Sequence, residues 1–254
     1  MAPQLNTITQ GHGPLLVLSH ALGLDLSMWD AVAALLQDRF TVLRYDHRGH
    51  GGSAAVPGPW SVDDLADDAA ALITARAGGE PVCFVGLSMG GMTAQALAAR
   101  HPGLLGRIVI ANSAAFYPDR TPWTTRVAAV RAQGIAPIAA GAVERWLTPG
   151  FRATPEGAEA AAALQATLLS NSPAAYADAC EAVGRIDYRE SNRRITQPVL
   201  VVAGSADLAT PPSLSREIAD AVPGARYAEL EAAHISAVEK PAELAALIAG
   251  FLYA

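Results

Sequence analysis

The sequence predicts an α/β fold: a mostly parallel central sheet flanked by helices on both faces, with a helical segment inserted into it. Three observations carry that expectation. Short apolar runs alternate with helix-like segments, most of those runs are apolar at successive positions, and one long stretch, from about Tyr117 to Arg194, shows no strand pattern. Strand–helix alternation implies parallel pairing through crossover helices. A strand that is apolar at successive residues is covered on both faces, as parallel strands are.

The elements follow in order. Strand patterns lie at Pro14 to Ser19 (PLLVLS), Thr41 to Tyr45 (TVLRY), Val82 to Leu87 (VCFVGL), Arg107 to Asn112 (RIVIAN), Pro198 to Gly204 (PVLVVAG) and Ala225 to Leu230 (ARYAEL). Helical patterns fill the gaps at about Met28 to Gln37, Val62 to Arg76, Met89 to Arg100, Ser213 to Ala221 and Ala242 to Leu252. Within the strandless stretch, APIAAGAVERWL, EGAEAAAALQATLL and SPAAYADACEAVGRI read as helices. The last opens with Ser172 as N-cap and Pro173 at the first helical position, where a backbone N–H has no intrahelical partner to lose. The expected division is a core of residues 1–116 and 195–254 with a helical cap of residues 117–194.

Composition narrows the function classes. At 254 residues, 51% hydrophobic and 17% charged, the chain can bury a sizeable core. A net charge of −6 with no Lys/Arg cluster argues against a nucleic-acid or anionic-membrane partner. The N-terminal stretch lacks a basic region and its longest apolar run is strand-sized, so neither a signal peptide nor a membrane span is expected. Two cysteines, Cys83 and Cys180, make no disulfide framework, and a reducing cytoplasm is the simplest location. No HExxH or CxxC pattern occurs, His47 and His50 in DHRGHGGS read as turn residues with structural or substrate-facing roles, and no metal or other cofactor is expected.

The chemistry centres on VCFVGLSMGG, Val82 to Gly91, where a strand pattern ends at a serine with glycine two residues to either side. A nucleophile projecting from a sharp strand-to-helix bend leaves no room for neighbouring side chains. Gly86 and Gly90 remove the Cβ atoms that would clash, and Ser88 exposes its Oγ. The helix from Met89 then directs its first N–H groups at charge developing there. A serine also needs a base held by a carboxylate. His234 follows the last strand directly, and Asp207 stands three residues beyond Gly204, in a loop at a strand's C-terminal end where open α/β sheets build their sites. The order Ser88, Asp207, His234 suits such a scaffold. Two N–H donors complete the expected oxyanion hole: Met89, next to the serine, and Leu22, in the loop of LLVLSHALGLDLSMW.

These residues resemble the α/β-hydrolase family over essentially the whole chain. YDHRGHGGS is similar to its D-x-R-G-x-G-x-S turn, in which Asp46 and Arg48 are structural rather than catalytic. LGLDLSMWD, LRYDHRGHGGS, GLSMGGMTAQALAARHP, RWLTP and HISAVEKP together resemble the β-ketoadipate enol-lactonases, small hydrolases of aromatic-acid breakdown. That resemblance implies a small-molecule lactone opened by Ser88 through an acyl-enzyme, under a cap whose inner face selects the substrate. Trp123 and Trp146 are candidates to line the pocket. Arg126 matches the lactonase pattern W..R and is the first candidate to meet a substrate carboxylate; Arg120 is the second, and Arg145 lies in the cap as well. Two positions depart from the family: His20 stands where these lactonases usually carry asparagine, and Phe116 where they tend to have a basic residue. The alternatives are a carboxylesterase or other lactonase acting on uncharged esters, and a non-catalytic ligand-binding protein on the same fold. A dehalogenase would carry aspartate in place of Ser88.

Overall fold

The computed structural model describes residues 3–253. Seven strands form one sheet: β1 (Thr7–Gly11), β2 (Leu15–Ser19), β3 (Thr41–Tyr45), β4 (Val82–Leu87), β5 (Leu105–Ala111), β6 (Val199–Gly204) and β7 (Arg226–Leu230). Their order is β1-β3-β2-β4-β5-β6-β7. β1 runs antiparallel to β3, and every other neighbouring pair is parallel. Strands β4 and β6 are buried along nearly their whole length, which is why they are apolar at successive positions. β1 is the strand that hydropathy does not reveal. It lies at the sheet's edge with no residue fully buried, so Thr7, Thr9 and Gln10 are tolerated there.

Helix α1 (Asp30–Leu36) joins β2 to β3, α2 (Val62–Arg76) joins β3 to β4, and α3 (Met89–Arg100) joins β4 to β5. The chain steps from β2 to β3 in one direction, then returns past β2 to β4 in the other. Right-handed crossovers therefore place α1 and α2 on opposite faces of the sheet. That reversal opens a crevice at the C-terminal ends of β2 and β4, where sites form in open α/β sheets.

Between β5 and β6 come α4 (Thr121–Gln133), α5 (Ala136–Trp146), α6 (Pro149–Arg152), α7 (Pro155–Ser170), α8 (Pro173–Gly184) and α9 (Arg189–Asn192). This segment leaves and rejoins the sheet through one stem. Phe116 bridges to Asp187, and the Tyr188 N–H donates to the Ala115 carbonyl at 2.9 Å. α4 packs on α8 and α5 on α7, and their buried Val130, Leu168 and Ala177 are continuous with the core under the sheet. After β6 follow α10 (Pro212–Ala221), β7, α11 (Ser236–Glu239) and α12 (Pro241–Leu252), which packs against α1. Among the described residues no helix is long and apolar enough to cross a membrane.

Candidate active site

Ser88 joins β4 to α3 with φ 57° and ψ −115°. A non-glycine residue held in so sparsely populated a region costs about 1–3 kcal/mol, which the surrounding structure must offset. Glycines make the bend possible. A Cβ on Gly86 would meet the Gly90 carbonyl, and one on Gly90 would meet the Ser19 carbonyl. Gly91, which the sequence pattern does not single out, has the same constraint against Ser113. The bend is then pinned on both sides: the Ser88 N–H donates to the Ala111 carbonyl at 2.9 Å, and the Ser88 carbonyl accepts from Ser113 Oγ at 2.8 Å.

The structure brings together the three side chains expected from the sequence. Ser88 Oγ lies 2.9 Å from His234 Nε2, and His234 Nδ1 lies 2.8 Å from Asp207 Oδ2. All three are buried. Asp207 Oδ1 accepts from the N–H groups of Ala209 and Thr210 at 2.8 and 2.9 Å, and its Oδ2 from Thr210 Oγ1 at 2.8 Å. Burial works against charge on Asp207. The field and hydrogen bond of His234, with the donors from Thr210 and Asn112, outweigh it and hold the carboxyl below its ordinary range. A carboxylate only accepts, so Nδ1 of His234 carries a proton and Nε2 is left to accept from the Ser88 hydroxyl. That is the arrangement in which a serine can lose its proton as it attacks.

Asn112 is a member of this site that sequence reasoning does not single out. Fully buried at φ 47°, it donates through Nδ2 to Asp207 Oδ2 and to the Ala233 carbonyl, both at 3.1 Å. Its Oδ1 accepts from Ser236 Oγ at 2.6 Å. One amide thus ties the carboxylate to the loop that bears the histidine. The available signal was a polar residue closing an otherwise apolar strand, of a type that tolerates left-handed φ.

The α/β hydrolase fold model of protein families matches residues 14–241. The chain belongs to the α/β-hydrolase family. This hydrolase is 38% identical, over 235 residues, to 3-oxoadipate enol-lactonase 2 of Acinetobacter baylyi, an alignment covering 92% of its own length and 87% of that protein's. The crystal structure of the enol-lactonase from Burkholderia xenovorans superposes on it with a TM-score of 0.93 at 36% identity, over 98% of this chain and 96% of that one. A thermophilic esterase from Thermogutta terrifontis matches with a TM-score of 0.91 at 26% identity, over 98% and 93% of the two chains.

In the hydrolase, Ser88 and His234 form the floor of a cavity of about 400 Å³. Leu22 lines it, and Met89 opens α3 beside Ser88. Among the described residues neither of their N–H groups donates to a protein acceptor. Behind Leu22, His20 accepts the His47 N–H at Nε2, so its Nδ1 donates to the Ala21 carbonyl at 2.8 Å. Burial lowers the proton affinity of His20, His47 and His50, the last to about 3. None of the three lines the cavity, so of the two roles open to His47 and His50 the structural one holds.

The helical segment supplies the cavity's other walls. Trp123, Arg126 and Trp146 are there as expected, joined by Tyr117, Tyr176 and Arg145. Arg120 is not: it lines a separate outer groove between α4 and α8. Phe116 is also absent from the cavity, its ring centroid lying 3.7 Å from the Arg189 guanidinium carbon. The Arg126 guanidinium lies 4.7 Å from the Trp123 ring. Among the described residues neither Arg126 nor Arg145 has a carboxylate partner. Burial, and then the charge of Arg126, lower the proton affinity of Arg145. Two arginines and one carboxylate, Asp119, line the cavity, so its wall carries an excess of positive charge.

Proposed function

We propose that this hydrolase opens a small enol-lactone bearing a free carboxylate, 3-oxoadipate enol-lactone being the compound its relatives suggest. The observation that carries the reading is the unbroken line Ser88–His234–Asp207 at a cavity whose walls hold two arginines, neither of them paired with a carboxylate among the described residues. Ser88 Oγ attacks the lactone carbonyl while its proton passes to His234 Nε2, and Asp207 stabilises the imidazolium that results. The Leu22 and Met89 N–H groups receive the oxyanion. Collapse breaks the ring C–O bond, His234 returns the proton to the enol oxygen, and the released enol becomes a ketone still tethered to Ser88. Water deprotonated by His234 then cleaves the acyl-enzyme.

In this reading residues 117–194 act as a cap whose inner face selects the substrate, with Arg126 meeting the carboxylate beside Trp123. The outward position of Phe116 supports it, since a basic residue is not missing from the cavity wall there. Two free cysteines support a reducing, cytoplasmic setting. Hydrolysis of uncharged esters is the second reading, supported by the exposed Leu208 that gives the cavity an apolar rim. Comparison of kcat/KM for the lactone acid and its methyl ester separates the two: preference for the neutral ester removes the enol-lactonase reading. Ser88→Ala should lower kcat by about 10⁴-fold. Near-native turnover by that variant removes the nucleophile assignment.

A further inference from the structure

RWLTP and HISAVEKP, two of the stretches that resemble the lactonases, are far apart in sequence and meet in space. Glu239, buried at the end of α11, is where they join. Its Oε2 accepts from the Ala233 N–H at 3.0 Å and from the Thr148 N–H at 3.2 Å, and its Oε1 accepts from the Thr148 hydroxyl. Beside it, the Ile235 N–H donates to the Trp146 carbonyl at 2.9 Å. The residues on either side of His234 are therefore both fastened to the chain leaving α5. That same stretch presents Arg145 and Trp146 to the cavity. On its other side the His234 loop is held by Asn112, so the imidazole hangs between the sheet and the helical segment.

We infer that Glu239 is a positioning residue, which fixes the reach of His234 to Ser88 by tying the histidine's loop to Thr148. The inference rests on the reading of Ser88 and His234 as nucleophile and base. Glu239 acts as an acceptor of hydrogen bonds, and among the described residues no cation pairs with it. Glutamine can therefore replace it: the amide oxygen takes both N–H groups, and the amide NH₂ donates to the Thr148 hydroxyl. Alanine leaves the buried Ala233 N–H and the part-buried Thr148 N–H without an acceptor and frees the loop. The Ile235–Trp146 bond survives in either variant, so the cavity wall stays in place while the histidine's aim is lost. Such a loss is felt in turnover more than in binding.

The test uses the rate at which a fluorophosphonate labels Ser88, together with kcat and KM for p-nitrophenyl acetate, in native protein, Glu239→Ala, Glu239→Gln and Thr148→Val, with circular dichroism to verify folding. Glu239→Ala should label and turn over at least about tenfold more slowly with KM changed by less than about threefold, as a base displaced by a fraction of an ångström predicts. Glu239→Gln should recover most of the rate, and Thr148→Val, which removes one of the three bonds to Glu239 together with the acceptor of the Phe151 N–H, should fall between. Should Glu239→Ala fail to fold, a native labelling rate in Thr148→Val overturns the proposal and an intermediate rate supports it. Folded Glu239→Ala labelling at the native rate overturns it, as does Glu239→Gln as slow as Glu239→Ala. A native protein that takes no label overturns the serine-hydrolase reading instead.

Discussion

Lowering the pH from 7.5 to 5 should destabilise this protein well before its carboxylates titrate. His50 is fully buried; its Nδ1 lies 3.1 Å from the Arg48 carbonyl, and its Nε2 has no partner among the described residues. Burial, reinforced by His20, moves its pKa from 6.5 to about 3. The unfolded chain takes a proton near pH 6.5 that the native state refuses. The stabilisation is therefore complete above that pH and is lost as pH falls, at about 1.4 kcal/mol per unit, until the native histidine itself protonates. At pH 5, about 1.5 units into that window, His50 alone contributes a loss of about 2 kcal/mol. His20 and His47, also lowered chiefly by burial, act in the same direction. Asp207, whose carboxyl is held low, adds its own loss only at more acid pH. Against a typical total of about 5–15 kcal/mol, the histidine effect is large. Urea unfolding at the two pH values, at constant ionic strength, measures it. His50→Gln keeps a donor for the Arg48 carbonyl but cannot titrate, and should lose about 2 kcal/mol less than native protein over this interval. An equal urea midpoint for the native protein at both pH values would refute the argument, and so would an NMR titration of His50 near pH 6.5 in the folded state.

Three further outcomes follow from the site. Gly86→Ala forces a Cβ onto the Gly90 carbonyl and should destabilise the fold by about 1–3 kcal/mol in urea unfolding; native stability would show that the bend tolerates a side chain. Arg126→Gln should raise KM for the carboxylate-bearing lactone by about 10- to 100-fold, the worth of one charge-assisted hydrogen bond, and leave a neutral ester almost unchanged. Equal effects on both substrates would remove Arg126 from carboxylate recognition. Asn112→Ala leaves Asp207 and the Ala233 carbonyl each short of a donor, and should lower kcat by about tenfold with little change in KM. A rise confined to KM would place Asn112 in substrate binding instead.

Most of the six parallel strands were legible in the sequence because burial on both faces demands apolar residues in succession, a signal that needs no knowledge of neighbours; the edge strand β7, exposed at Arg226 and Glu229, was read without it. β1 escaped because an edge strand with polar residues on both faces carries no such signal. Ser88, Asp207 and His234 were legible because each stands at or just beyond a strand's end, and strand ends share one edge of a parallel sheet. Asn112 and Glu239 were not, since their value lies in which loops they join, and Asn112 and Ser236 are 124 positions apart. Arg120 and Arg126 stand six residues apart, a turn of roughly 120° about a helix axis, and only Arg126 faces the cavity. The resemblance ranks Arg126 first through its W..R pattern, and the packing of α4 gives the physical reason.

The shared stem of the helical segment bears on how such proteins can be recombined. Because the segment leaves and rejoins the sheet at the Phe116–Asp187 bridge, a foreign segment grafted at that point need not disturb the pairing of β5 with β6. Chimaeras made this way should keep their fold readily, as insertions with closely spaced ends generally do. Turnover sets a stricter condition. The incoming segment must offer a carbonyl to Ile235, as Trp146 does, and donors to Glu239, as Thr148 does, or the recipient's histidine will be left without half of its support.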